Sequence, residues 1–203
     1  MASPDTSTAR REELLAHGIR MFSERAFDEV SMDDVAAEAG VVKGLLYYYF
    51  GSKRGFYVAA VRAAANELRG QWDADEADLE PLDRLRRGLE AYLRHARDHA
   101  EGYRTTLAGG IGSDPEVRAI LAEEHSLVID RVVTALGLPA APPALRVALQ
   151  GWLSFVEGST LNWLDERDLG ESELRDLLLG ALAGTLAAAH AVDPGVPAAL
   201  PGS

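Results

Sequence analysis

Lys43, Gly44, Tyr47, Tyr48 and Tyr49, followed by Lys53, place two ammonium groups and three phenols within eleven residues, in the run KGLLYYYFGSK. All five charged or phenolic side chains are hydrogen-bond donors on a segment with helical periodicity. A helix that carries donors near its N-terminus can reach base edges in a major groove while neighbouring groups touch phosphates. Gly44 adds room, because the first turn of a helix has free N–H groups that favour an anion, and a residue without a side chain lets a phosphate backbone approach.

Other groupings invite different chemistry. His95 and His99 lie four apart in HARDH, a spacing that can hold a metal. No adjacent glutamate completes a hydrolytic motif, and Arg94 and Arg97 would repel a cation, so no metal site is expected. His125 falls on an apolar stripe, where a satisfied core histidine and a ligand contact are the two readings. Glu157 interrupts a leucine-rich stretch and requires a partner there. Arg146, Arg131 or a residue of a second subunit would serve; alternatively Glu157 lines a pocket and selects a cationic or hydroxylated ligand. No Ser-His-Asp set, phosphate loop or carboxylate pair directs catalysis, so an enzyme is not expected and no cofactor is implied.

The donors need a support, and the preceding residues SMDDVAAEAGVV describe one. Ser31 stands three residues before Asp34, the arrangement of a capping box, which starts a helix at Met32. Val35, Ala36 and Ala39 give that helix a small apolar face. Gly40 supplies the positive φ that ends it, and Leu46 and Phe50 mark the buried side of the next helix. Ala36 fits a close helix crossing, with Gly40 four residues on and Leu46 six beyond that. Two short helices joined by a tight glycine turn form a helix-turn-helix over 31–50; an amphipathic hairpin without a nucleic-acid role shares the same intervals.

SMDDVAAEAGVVKGLLYYYFGSKRGF resembles the DNA-binding domain of the tetracycline-repressor (TetR) family of bacterial transcriptional regulators, whose usual run reads GVSKGTLYYHFxSKEEL. The likeness spans roughly Thr8 to Leu68. It implies an all-α homodimer with an N-terminal DNA-binding domain and a C-terminal domain for a small-molecule effector and dimerisation. Carried over by position, Lys43, Gly44 and Leu45 face bases, Tyr47, Tyr48 and Tyr49 contact bases or backbone, and Ser31 and Lys53 touch phosphates of a double-stranded operator. Val42 and Leu45 depart from the family's Ser and Thr, replacing two polar contacts by apolar ones suited to thymine methyl groups.

Composition agrees with an all-α chain. The 203 residues are rich in Ala and Leu, and β-branched runs are scarce. No cysteine is present, which excludes disulfides and thiolate metal sites. With no apolar run long enough to span a bilayer, the expectation is a cytoplasmic protein without a membrane partner. The net charge of −12 runs against the sign expected for binding DNA, yet through Gly55 seven basic residues face nine acidic ones, and the other −10 lies beyond. An acidic body discourages nonspecific docking through other surfaces.

Along the chain, residues 1–7 read as a disordered arm, with Arg10 and Arg11 following as phosphate or minor-groove contacts or simply solvated charges. A first helix is predicted from Thr8 to Arg25 and a fourth from Lys53 to Trp72. The acidic stretch DADEADLEP reads as a linker, so the DNA-binding domain is assigned to 8–68 and the ligand-binding and dimerisation domain to 69–192. Helices are predicted over 81–100, 114–136, 143–167 and 172–191, with a short helix or loop at 103–111 and a disordered tail over 193–203. The 143–167 helix is apolar on nearly every side, and one side is expected to meet a second subunit. Trp152, Val156, Leu174, Leu178, Ala181, Leu182 and Thr185 are the predicted dimer contacts. Tyr92, His99, Tyr103, Leu107, His125, Trp152, Phe155, Asn162 and Trp163 either line an effector pocket or form plain core.

Overall fold

The computed structural model describes residues 6–73, 79–108 and 114–201. Their regular structure is helical throughout: α1 (Thr6–Glu24), α2 (Met32–Glu38), α3 (Lys43–Phe50), α4 (Lys53–Asp73), α5 (Pro81–Asp98), α6 (Ala100–Leu107), α7 (Pro115–Ala135), α8 (Pro143–Glu166) and α9 (Glu171–Val192), with a 3-10 turn at Phe27–Glu29. The all-α expectation holds. Among the described residues no helix is long and apolar enough to cross a membrane. The proposed linker and the glycine-rich break at 109–112 fall mainly outside the described residues.

These helices form two compact units. The first comprises Met1–Glu67 and Asp98–Ile120; it therefore reaches well past residue 68. α1 buries Leu14, Leu15, Gly18, Met21 and Phe22, with steps of three, four and seven among them, the stripe that a helix turns toward a core. Its Gly18 lies where a side chain would not fit, since a Cβ there would stand 2.5 Å from the Phe56 ring of α4. Phe22 meets Tyr57 edge-on at 4.9 Å, and Phe50 meets Phe56 at 4.8 Å, geometries that favour aromatic pairs. α6 returns to cover α1. A Cβ on Gly102 would come within 2.7 Å of the Phe22 carbonyl oxygen, so this approach demands glycine. The hydroxyls of Tyr57 and Thr106 share a hydrogen bond of 2.9 Å, and burial pushes the Tyr57 phenol up from its ordinary value.

The second unit comprises Leu68–Arg97 and Leu121–Ser203. Its principal pair is α8 against α9. α9 buries Leu174, Leu178, Leu182 and Leu186 at four-residue steps and then Ala189, against Leu145, Leu149, Trp152, Leu153, Val156 and Trp163 of α8. The indoles are satisfied within the protomer, Trp152 Nε1 donating to the Leu178 carbonyl at 3.0 Å and Trp163 Nε1 to that of Leu169 at 2.8 Å. α5 is tied to α9 by Arg175 with Glu90 at 2.6 Å and Arg97 with Glu171 at 2.5 Å.

On the outer side of α8, Val147 and Phe155 are exposed at 75% and 43%, and on α9 Leu177 is exposed at 49%. Two expectations are revised here. Trp152, Val156, Leu174, Leu178 and Leu182, predicted to meet a partner, turn inward because α8 and α9 consume those faces on each other; Ala181 and Thr185 are half-buried. The tail after Val192 also packs as far as it is described. Val196 is fully buried, Leu200 nearly so, and the Val196 carbonyl lies 2.7 Å from His190 Nδ1.

Candidate nucleic-acid interface

The site is built on a fixed crossing. Ser31 Oγ accepts from the Asp34 amide at 3.0 Å and the Asp34 carboxylate accepts from the Ser31 amide at 3.1 Å, the capping box foreseen for α2. Hydrogen bonding from Ser31 to the carboxylate, its side chain first and its amide second, holds the Asp34 carboxyl below its ordinary range. At the other end Gly40 adopts φ +63°, with Val41 N–H donating to Ala36 at 2.9 Å and Gly40 N–H to Ala37 at 3.3 Å. This is a Schellman ending, in which a left-handed residue lets the last carbonyls be satisfied. Ala36 is 6% exposed at the crossing, and Leu46 of α3 is fully buried beneath it.

With Leu46 anchored, the opposite side of α3 must face out. Val42 is 76% exposed, Tyr48 78% and Tyr47 42%. Gly44 is exposed, and a Cβ there would meet nothing within 4 Å. Leu45 and Tyr49 are half-buried, the Tyr49 ring standing edge-on to Tyr48 at 5.1 Å and its hydroxyl accepting from Ser7 Oγ at 3.4 Å. Lys53 caps the Phe27 ring at 4.3 Å, and Arg11 lies over Phe50 at 5.2 Å.

Two neighbours of the donors were not singled out from sequence. Asp33, exposed in the first turn of α2, accepts from Lys43 Nζ at 2.8 Å, which raises the Lys43 ammonium above its ordinary value. Arg54, beside Lys53, clasps Asp114 through Nε at 2.5 Å and Nη2 at 2.8 Å, and reaches Glu116 at 2.9 Å. The guanidinium holds the Asp114 carboxyl below its ordinary value, while Asp114 Oδ1 also accepts from the Glu116 amide at 2.9 Å, capping α7. Both partners are opposite charges on adjoining elements, at separations of 10 and 60 residues. The first is one helix-turn-helix step and readable from spacing; the second is not.

A bacterial regulatory protein model of the tetR family matches residues 14–60, and a tetracyclin repressor-like C-terminal domain model matches 81–184. The chain belongs to the TetR family. Its relatives include the HTH-type transcriptional activator FasR of Mycolicibacterium smegmatis, 32% identical over 159 residues, covering 77% of this chain and 73% of that one. An uncharacterized HTH-type regulator of Mycobacterium tuberculosis is 33% identical over 134 residues, covering 60% and 66%. A crystal structure of a TetR-family regulator from Streptomyces coelicolor superposes with a TM-score of 0.82 at 27% identity, covering 96% of this chain and 86% of that one. This TetR protein is accordingly a DNA-binding transcriptional regulator and not an enzyme.

The residues predicted for an effector pocket are divided between the two compact units. Trp152 and Trp163 are core, whereas Phe155 and Asn162 lie on the outer face of α8. His99, Tyr103 and Leu107 belong to the first compact unit, and Tyr92 and His125 to the second. Glu157 finds its partner in His125, Nε2 to Oε1 at 2.7 Å, with Gln150 Nε2 3.1 Å from His125 Nδ1, rather than in Arg146 or Arg131. Sequence reasoning missed a cavity of about 430 Å³ in the second unit. It is lined by Leu85, Leu127, Val128, Val132 and Leu200, with Arg84, Asp130 and Arg131 as its charged members. Among the described residues, no group of three or more His, Asp or Glu side chains is placed to hold a metal ion.

Proposed function

We propose that the protein is a cytoplasmic, ligand-responsive repressor that binds a near-palindromic operator as a homodimer and is released by a small-molecule effector. The observation that carries the reading is the outer face of α3. Beyond its edge-on contact with Tyr49, Tyr48 is largely exposed, and Gly44 stands in open space. Lys43, Gly44 and Leu45 face bases, Tyr47, Tyr48 and Tyr49 contact bases or backbone, and Ser31 and Lys53 contact phosphates. Residues 8–68 then read DNA, and 69–192 bind the effector and the second subunit.

Two recognition helices about 34–36 Å apart would meet successive major grooves. The dimer face is the exposed apolar stripe of α8 and α9, with Val147, Phe155 and Leu177 beside Gly151, Gly158, Gly180 and Gly184, where added Cβ atoms meet nothing within 4 Å. Small residues of that kind permit close packing of four helices across a two-fold axis. The effector enters the second unit, and its leverage equals its differential affinity for the DNA-bound and released conformations. The cavity beside α5 and α7 has the volume of a small-molecule site. Lys43→Ala and Tyr48→Ala should abolish retardation of an operator fragment selected from genomic DNA while leaving the dimer intact by sedimentation. Normal retardation by both variants would refute the assignment. A reporter driven from the selected fragment, compared with and without the protein, decides between repression and the activation for which FasR is named.

A further inference from the structure

Lys43 is the one ammonium at the N-terminus of α3, and it is already engaged: Asp33 holds its Nζ at 2.8 Å across the turn. The same habit recurs around the interface. Arg20 pairs with Glu38, Arg10 with Glu13, and Arg54 with Asp114 and Glu116. A chain with a net charge of −12 thus covers much of the positive charge of its first unit with its own carboxylates. Asp33 differs from the others in position. Its carboxylate is 73% exposed, it is free of the Ser31–Asp34 capping box, and its partner is the residue that leads the recognition helix.

We propose that Asp33 is a specificity-determining residue that withholds Lys43 from phosphates of arbitrary sequence and aims it at an acceptor in the operator. The inference rests on Lys43 facing DNA. An ammonium has three N–H donors, and one directed at Asp33 leaves two for an acceptor on a base edge. On unrelated DNA the pair contributes no net charge, so Lys43 releases no counterion. At the operator the pair persists as a bridge from Asp33 through Lys43 to the base. Asp33 acts as a positioning residue there.

The test is Asp33→Asn, which keeps the side-chain shape and leaves the capping box of α2 untouched. Binding is followed by fluorescence anisotropy across a salt series, on a scrambled duplex of about 30 base pairs and on the fragment selected from genomic DNA. One unmasked phosphate contact steepens the slope of log affinity against log salt by about 0.9, equivalent to roughly eight-fold tighter binding at 0.1 M salt. The scrambled duplex should show this change for each bound copy of α3. The selected fragment should gain less, because Lys43 loses its guide, and the ratio of the two affinities should fall at least three-fold. In a Lys43→Ala background, Asp33→Asn should leave the scrambled-duplex slope unaltered. The proposal is overturned if the Asp33→Asn slope matches wild type, if it steepens equally without Lys43, or if both duplexes gain alike. Undiminished binding of the selected fragment by Lys43→Ala alone would instead sink the underlying recognition assignment, and the proposal with it.

Discussion

Replacing Gly44 by alanine should leave the fold at least as stable and weaken its hold on DNA, and the opposite directions are the point. Gly44 sits in the first turn of α3, in open space, so an added methyl strains nothing. Alanine is favoured over glycine in a helix interior by about 0.8–1 kcal/mol, and roughly half of that is expected in a first turn. Apparent stability in urea should therefore rise by about 0.5 kcal/mol or stay unchanged. In the proposed orientation of α3 on DNA the same methyl stands between the helix N-terminus and a phosphate. Losing one charge-assisted backbone hydrogen bond costs about 1.5–3 kcal/mol, which is a weakening of roughly ten- to hundred-fold. Anisotropy on the selected operator fragment, set beside the urea titration, reads both effects from one preparation. A variant that is as stable as wild type and binds equally well would show that nothing approaches Gly44, and the orientation assigned to α3 would be wrong. Gly40→Ala is the contrasting control: it too has open space, but its φ of +63° makes alanine cost about 1 kcal/mol through the backbone alone.

Other outcomes follow from the same packing. Leu177→Asp, on the exposed side of α9, should convert the proposed dimer to monomer in sedimentation while helicity by circular dichroism is kept; a persisting dimer places the interface elsewhere. Arg54→Gln should destabilise the protein at neutral pH, and the difference from wild type should shrink as pH falls below about 4. The sign follows because Arg54 depresses the folded-state value of Asp114, so the contribution exists above the unfolded carboxylate value and is lost on acidification. A pH-independent difference in thermal midpoint would rule the ion pair out as its cause. Val196→Ala should cost about 2 kcal/mol in urea, the loss of two buried methyl groups and the space they leave.

The helix-turn-helix was legible because each of its parts is local. Ser31 caps a residue three positions on, Gly40 ends the helix it follows, and Leu46 needs only the angle between neighbouring helices to be buried. The second unit was less legible because its choices are made across long separations. An apolar residue on α8 looks the same in sequence whether it meets α9 or another subunit. Trp152 is settled by a carbonyl 26 residues away, and Glu157 by a histidine 32 residues away. The Pro- and Gly-rich ending looked like a solvated tail, but Val196 and Leu200 give it two apolar anchors, too few to form a periodic signal. Asp33 was passed over because an exposed acid near a helix start already has an explanation in the helix dipole.

The return of residues 98–120 to the first unit has a bearing on how the chain is made. Synthesis delivers α1 to α4 first, yet the surface around Phe22 that Gly102 approaches stays wet until α6 has cleared the ribosome. The leading segment thus waits for its own cover, and an expression fragment ended near residue 68 would carry that bare apolar seam permanently into solution.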